Sequence, residues 1–235
     1  MPGDFDTNKK FEAQLKDLKL DEHTIVMFSS DNGPHQEGGH KAAFFQSSGG
    51  LTGTKRDLTE GGVRVPFIVR WPGKVAAGSA HGAPTAHVDL FPTLLELAGA
   101  AKPRQTLDGE SLLPVMLGKA PSLKRDAIFQ HFPGYLGSGP GLWRTTPVSL
   151  IHAGDWKLME YLEDGHLELY NLKEDLGETK NLATANPDKA KELHERLIAW
   201  RKETKAPMPT PNKPGADEAA PAAKKTGKGK KKAGG

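Results

Sequence analysis

The stretch Gly49-Gly50-Leu51-Thr52-Gly53-Thr54-Lys55-Arg56-Asp57-Leu58-Thr59-Glu60-Gly61-Gly62-Val63-Arg64-Val65-Pro66 holds five glycines and closes on an X-Pro step. Glycine at that density lets the backbone take positive φ and approach another backbone closely. The residue before proline is driven into an extended conformation. Directly downstream, Val65-Pro66-Phe67-Ile68-Val69-Arg70-Trp71 is a short apolar run that stops at Pro72-Gly73. Its counterpart upstream is Thr24-Ile25-Val26-Met27-Phe28. Continuous apolar runs of this length predict strands buried on both faces, the pattern of a parallel sheet covered by helices. Between the two runs, residues 33–62 carry eight glycines. A loop so long and so glycine-rich inside a compact domain is more often functional than idle.

Outward from this centre the chain alternates. Asp6 or Thr7 caps a predicted first helix with Phe11, Leu15 and Leu18 on one stripe. Asp89 caps another, with Phe91, Leu94, Leu95 and Ala98 on one face and Gly99 as its stop. A short helix over Ser111 to Leu117 ends at Gly118. Strand, helix and strand in alternation predict an α/β layer architecture over residues 1–124. Residues 125–205 change character. Ala127 to Phe132, Ser149 to His152, Trp156 to Leu162 and Leu167 to Tyr170 read as strands, with Gly154-Asp155 and Glu163-Asp164-Gly165 as turns. Asn186-Pro187 opens a last helix that buries Leu193, Leu197 and Trp200. This part reads as a small antiparallel sheet with one helix. Residues 206–235 are rich in Lys, Pro, Ala and Gly and are expected to be disordered.

Charge follows that division. The chain carries +3, but the stretch from Ala216 onward alone carries +4, which leaves the body at −1. A nucleic-acid function for the folded part therefore has no electrostatic support, and a lysine tail is usually just solvated. No apolar run approaches the roughly 20 residues of a membrane span. Met1-Pro2-Gly3-Asp4-Phe5-Asp6 shows no secretory signal. There is no cysteine, which excludes disulfides, thiolate metal sites and cysteine nucleophiles on this chain.

Asp31-Asn32-Gly33 follows the first strand, at its carboxyl end, where α/β sheets place ligands. A carboxylate and an amide oxygen are hard donors of the kind Ca²⁺ or Mg²⁺ takes. Alone, Asn-Gly is equally a common turn. Together with Lys55 and the Glu60-Gly61-Gly62-Val63-Arg64-Val65-Pro66 segment, in this order and spacing, it resembles the signature of the formylglycine-dependent sulfatases. Asp89 to Gly99, Asp108-Gly109-Glu110-Ser111-Leu112, Trp156-Lys157-Leu158 and Glu168-Leu169-Tyr170-Asn171-Leu172 extend that resemblance over roughly residues 10–205. It implies the alkaline-phosphatase-like fold, here its C-terminal portion, and the activity of a sulfuric ester hydrolase.

By the same resemblance, Asp31 and Asn32 are two of four protein ligands of a divalent cation, usually Ca²⁺, with Mg²⁺ as the other candidate. The cation would polarise the sulfate, and Lys55 would place an ammonium against a sulfate oxygen. His35 and His40 leave the metal site with the chain; they either contact substrate or lie as ordinary loop histidines. Glu60 and Arg64 are expected to brace the loop as an ion pair. His81, His87 and His152 read as structural. The family nucleophile, a Cys or Ser in Cys/Ser-x-Pro-x-Arg, is not in this sequence. Ser138-Gly139-Pro140-Gly141-Leu142 lacks the arginine and follows the Asp-Asn-Gly turn. The chain is therefore expected to be inactive alone, to need an N-terminal half, and to be poorly soluble without it. A sulfated carbohydrate in the periplasm or outside the cell is the substrate and setting that family habit implies. Two other readings compete: a phosphodiesterase or phosphonate hydrolase of the same superfamily, and a non-catalytic protein that binds sulfated glycans.

Overall fold

The computed structural model describes residues 6–36, 38–137 and 143–210. The Ser138–Leu142 stretch and the tail beyond residue 210 lie outside it. Helix α1 (Asp6–Asp17) buries Leu15, while Phe11 and Leu18 stay exposed. Strand β1 (Val26–Ser29) follows, then the glycine-rich loop with one helical turn, α2 (Glu60–Val63), and strand β2 (Phe67–Arg70). The two strands pair antiparallel, with Val26 opposite Arg70 and Phe28 opposite Ile68. This corrects the expectation that they run parallel. Apolar runs report burial and not chain direction, and here the loop returns the chain along the strand it left, with no crossover helix. The expectation of burial on both faces is corrected as well. Phe28 is 53% exposed and Ile68 59%. As cross-strand partners they occupy one face together. Arg70 ties the pair to the preceding turn by a forked contact with Asp21, at 2.7 and 3.0 Å. That hydrogen bonding holds the Asp21 carboxyl below its usual value.

Helix α3 (Leu90–Leu97) ends at Gly99, with φ of 63°, and α4 (Leu113–Met116) at Gly118, with φ of 66°. Both stops use the left-handed conformation that glycine takes without penalty. Asp89 does not cap α3 with its side chain, contrary to expectation. Its fully buried carboxylate instead accepts the N–H groups of Ala86 (2.8 Å) and Glu110 (3.0 Å) and both arms of the Arg125 guanidinium (2.5 Å each). A buried carboxylate persists only when paired and hydrogen-bonded, and these four donors meet that need.

Strands β3 (Ala127–Phe132), β4 (Leu136–Gly137), β5 (Trp143–Thr145), β6 (Val148–Ala153), β7 (Trp156–Tyr161) and β8 (Leu167–Asn171) complete the chain before helix α5 (Pro187–Thr204). The antiparallel sheet has the order β3-β6-β7-β8, and β4 and β5 form a separate ladder. Gly154, at φ 58°, makes the tight turn from β6 to β7. One face of the sheet carries Ile151, Leu158 and Leu169 onto Ala190, Leu193 and Leu197 of α5. Trp200 stacks on Phe129 at 5.0 Å beside them. The other face carries Val148, Leu150, Met159 and Tyr170, and Leu58 of the glycine-rich loop packs against it. The sheet is thus sandwiched between a helix and the loop that dominates the sequence.

Candidate active site

The site begins at the turn after β1. Ser30 Oγ donates to the Asn32 carbonyl at 2.8 Å, and Asn32 Nδ2 donates to the Gly33 carbonyl at 2.9 Å. The second bond fixes the amide so that Oδ1 is its free ligand atom. Asp31 is exposed. The Gly33 N–H donates to the Gly62 carbonyl at 2.9 Å and the Lys55 N–H to the Pro34 carbonyl at 2.8 Å. These two bonds lock the Asp31-Asn32-Gly33 turn to the Lys55 loop.

The contact is closer than side chains permit. A Cβ on Gly33 would stand 1.9 Å from the Gly61 carbonyl oxygen, one on Gly61 2.3 Å from that of Gly53, and one on Gly62 2.0 Å from that of Asp57. Each of these glycines is present because backbone lies against backbone. The two sequence motifs are therefore one interlocked object.

The result is a cavity of about 430 Å³ whose wall includes Asp31, Asn32, His35, Lys55 and Arg64. The four expected site residues converge on it. His40 does not line it: its ring stacks on Phe45 at 5.3 Å and tilts against His35 at 5.3 Å. His87 Nε2 lies 3.2 Å from Ser29 Oγ. Among the described residues, no group of three or more His, Asp or Glu is placed to hold a metal. Asp31 and Asn32 offer the right donor type for a hard cation but only two of the six to eight oxygens that Ca²⁺ takes. They fit part of a shell.

Beneath the loop lies a charged cluster. Glu60 is 4% exposed. Its Oε2 accepts from Arg64 Nη1 at 3.3 Å, the expected brace. Its Oε1 accepts from Lys157 Nζ at 3.0 Å, and Lys157 is 1% exposed. That ammonium also stands 2.8 Å from Glu178 Oε1, while Glu178 Oε2 accepts the Glu60 N–H at 2.6 Å. Burial pushes the Glu60 carboxyl up, but Lys157 first, with His152 and Arg64, more than offsets this and it sits below its usual value. For Glu178 burial wins over Lys157, and its carboxyl is raised. Burial lowers the His152 imidazole against the pull of Glu60. Two further bonds fasten the loop: Thr52 Oγ1 to the Gly177 carbonyl at 2.5 Å, and Thr145 Oγ1 to the Arg56 carbonyl.

Sequence reasoning does not single out Lys157 and Glu178 as site-supporting residues. In a strand, alternation puts Lys157, Met159 and Tyr161 on one face, and a lysine there reads as solvent-facing. The two apolar neighbours on the same face are the available signal that it is covered.

Residues 53–203 match the family described as N-sulphoglucosamine sulphohydrolase, C-terminal. A sulfatase of Formosa agariphila is 37% identical over 203 residues, which is 79% of this chain and 34% of that protein. An N-acetylgalactosamine-6-O-sulfatase of Bacteroides thetaiotaomicron is 33% identical over 191 residues, 78% of this chain and 37% of that protein. A structure solved in complex with its substrate D-glucosamine-2-N,6-O-disulfate superposes with a TM-score of 0.67 at 27% identity, covering 84% of this chain and 38% of that one. The phosphonate monoester hydrolase of Silicibacter pomeroyi superposes with a TM-score of 0.62 over 83% of this chain and 38% of that one. At 22% identity, that likeness reaches the fold alone. The chain spans about a third of the length of the curated relatives it matches.

Proposed function

The chain belongs to the sulfatase family, as a C-terminal part with the alkaline-phosphatase-like fold, and from that premise we propose that it supplies half of a site that hydrolyses sulfate esters. The observation that carries this is the convergence of Asp31, Asn32, His35 and Lys55 on one cavity. Asp31 and Asn32 would hold a divalent cation, whose chemistry when bound is to polarise a sulfate oxygen. Lys55 offers an ammonium to the same oxyanion and so offsets negative charge that grows in the transition state. His35, exposed on the cavity wall, would donate a proton to the leaving oxygen. The interlocked glycines keep these groups on one rigid frame, so little reorganisation accompanies reaction.

The nucleophile and the other metal ligands would come from a further sulfatase segment, in cis or in trans. The names of two similar proteins, an N-acetylgalactosamine-6-O-sulfatase and one that acts on a sulfated glucosamine, support a sulfated sugar as the substrate class. The purified 235-residue chain is expected to release no 4-nitrophenol from 4-nitrophenyl sulfate. Joined to a segment bearing the nucleophile motif, it is expected to turn over, and Lys55→Ala then lowers kcat/KM by about 10²–10³-fold. Turnover by the chain alone refutes the half-site, and full activity of Lys55→Ala refutes the role of the lysine. Binding of sulfated sugars without turnover in the joined protein would favour a non-catalytic glycan-binding role instead.

A further inference from the structure

Three charges share one water-poor space under the glycine-rich loop, and they come from three distant parts of the chain. Glu60 opens α2 in the loop itself, Lys157 lies in β7, and Glu178 follows β8. The side chains of Lys157, Glu60 and Glu178 are 1%, 5% and 0% exposed. The two glutamates are linked twice, by the shared ammonium and by the Glu60 N–H on the Glu178 carboxylate. This cluster lies on the loop-facing side of the sheet, away from the apolar core under α5. From Glu60 the chain runs at once into Gly61 and Gly62, which touch Gly53 and Gly33, and the loop bond from Lys55 to Pro34 closes the ring.

We propose that Lys157 is a positioning residue for the half-site: its ammonium, held between Glu60 and Glu178, seats residues 52–64 and so sets how Lys55 faces Asp31 and Asn32. The proposal rests on the reading of those three residues as a half-site, and it adds a remote residue to it. The physical reason is the charge count. Without Lys157 two buried carboxylates face each other with no buried cation, so one takes a proton or the loop lifts from the sheet. Among the described residues no other group replaces it. Arg64, the residue just after α2, reaches Glu60 but is 52% exposed. Burial lowers the His152 imidazole on β6 and so works against a cation there. Tyr161 of β7 and Tyr170 of β8, the phenols that feel Glu178, and the carboxylates beside those phenols, Glu168 of β8 and Asp57 of the loop, bring no cation.

The test is residue-resolved amide hydrogen exchange on the full chain, as a ratio to wild type at the same pH. In Lys157→Met at about pH 7.5, exchange at Gly61, Gly62 and Arg64 is expected to rise about a hundredfold, with β6–β8 amides within about threefold of wild type. At about pH 5 the loop ratio is expected to shrink to about threefold, because a protonated carboxyl no longer repels its neighbour. The double variant Lys157→Met/Glu178→Gln restores slow exchange at the higher pH, since the carboxamide introduced by Glu178→Gln still accepts the Glu60 N–H and offers the Glu60 carboxylate a donor. A lysine that matters only for packing would show neither pH reversal nor rescue. Uniform acceleration of loop and sheet, an unchanged loop, or failure of the rescue overturns the proposal. If Lys157→Met alone does not fold, folding of the double variant is the rescue, and its failure to fold is the same refutation. Because the readout is exchange and not turnover, an inactive Lys55 would sink the sulfatase site while leaving this clamp standing.

Discussion

Gly62 occupies a position that no side chain can enter, since a Cβ there would stand 2.0 Å from one backbone carbonyl oxygen and 2.6 Å from another. Both obstacles are backbone, so neither can swing aside. Gly62→Ala is expected to cost about 1–3 kcal/mol, the range for forced overpacking, read from the urea midpoint with an unchanged slope. A neutral result would mean that Gly62 does not lie against the backbone of Thr54 and Asp57. The tyrosines give a second residue-scale expectation. Tyr161 and Tyr170 donate to the same Glu168 oxygen at 3.1 and 3.0 Å. Burial first, and then that carboxylate, push both phenols well above their ordinary range. A raised folded value means the folded state keeps the proton that the unfolded chain releases. Their stabilisation is thus complete below about pH 10 and drains away above it. Thermal melts at increasing alkalinity should fall above that point, and Tyr161→Phe should make the fall shallower. An identical slope in the variant would remove Tyr161 from the account.

Among the elements, β1 and β2 leave an apolar pair uncovered. Phe28 and Ile68 face each other across the ladder and both are more than half exposed, an apolar pair on a two-stranded sheet that is marginal by itself in water. The chain should therefore self-associate through this face, and Phe28→Lys should shift its sedimentation toward monomer while leaving the exchange protection of β6–β8 unchanged. If Phe28→Lys associates as wild type does, the contact lies elsewhere. This element also marks where sequence reading stops. The strands β3, β6, β7 and β8 and helix α5 were legible, because period-two alternation, Gly154 and Gly165 at the turns, and Asn186-Pro187 at a helix start are all local signals. So was the pairing of Glu60 with Arg64, four residues apart. The direction of β2 against β1 was not legible, because the runs look the same read either way. Nor was the place of Asp89, whose partner Arg125 lies 36 residues on. The Lys157 cluster was hidden for the same reason: a lysine's burial depends on what covers its strand face, and here the cover is a loop 97 residues upstream in sequence.

Over the whole molecule, one sheet supports two unlike neighbours, a helix that completes an ordinary core and a loop that presents polar groups to a cavity. The stability of the second cannot come from apolar burial alone, because the loop's outer surface is given over to Asp31, His35 and Lys55. It rests on glycine contacts, Leu58 and the charges below. A cation at Asp31 and Asn32 would add to it in proportion to its affinity, since a ligand of the folded state stabilises by RT ln(1 + [L]/Kd). Two protein oxygens leave most of a Ca²⁺ shell to water, so millimolar Ca²⁺ should move the Tm of this chain by under about 1 °C. Once a segment bearing the other ligands is joined, Ca²⁺ about a hundredfold above its Kd should raise Tm by about 2 °C, because about 2.7 kcal/mol is spread over the unfolding entropy of a protein roughly three times longer. Asp31→Ala should abolish that rise, and Lys55→Ala should leave it nearly intact, because the role proposed for the lysine is toward the oxyanion and not the metal. Calorimetry on the joined protein and its two variants checks all three expectations. A Ca²⁺-dependent rise that survives Asp31→Ala would put the ion at some other place in the molecule, and the turn after β1 would then be only a turn.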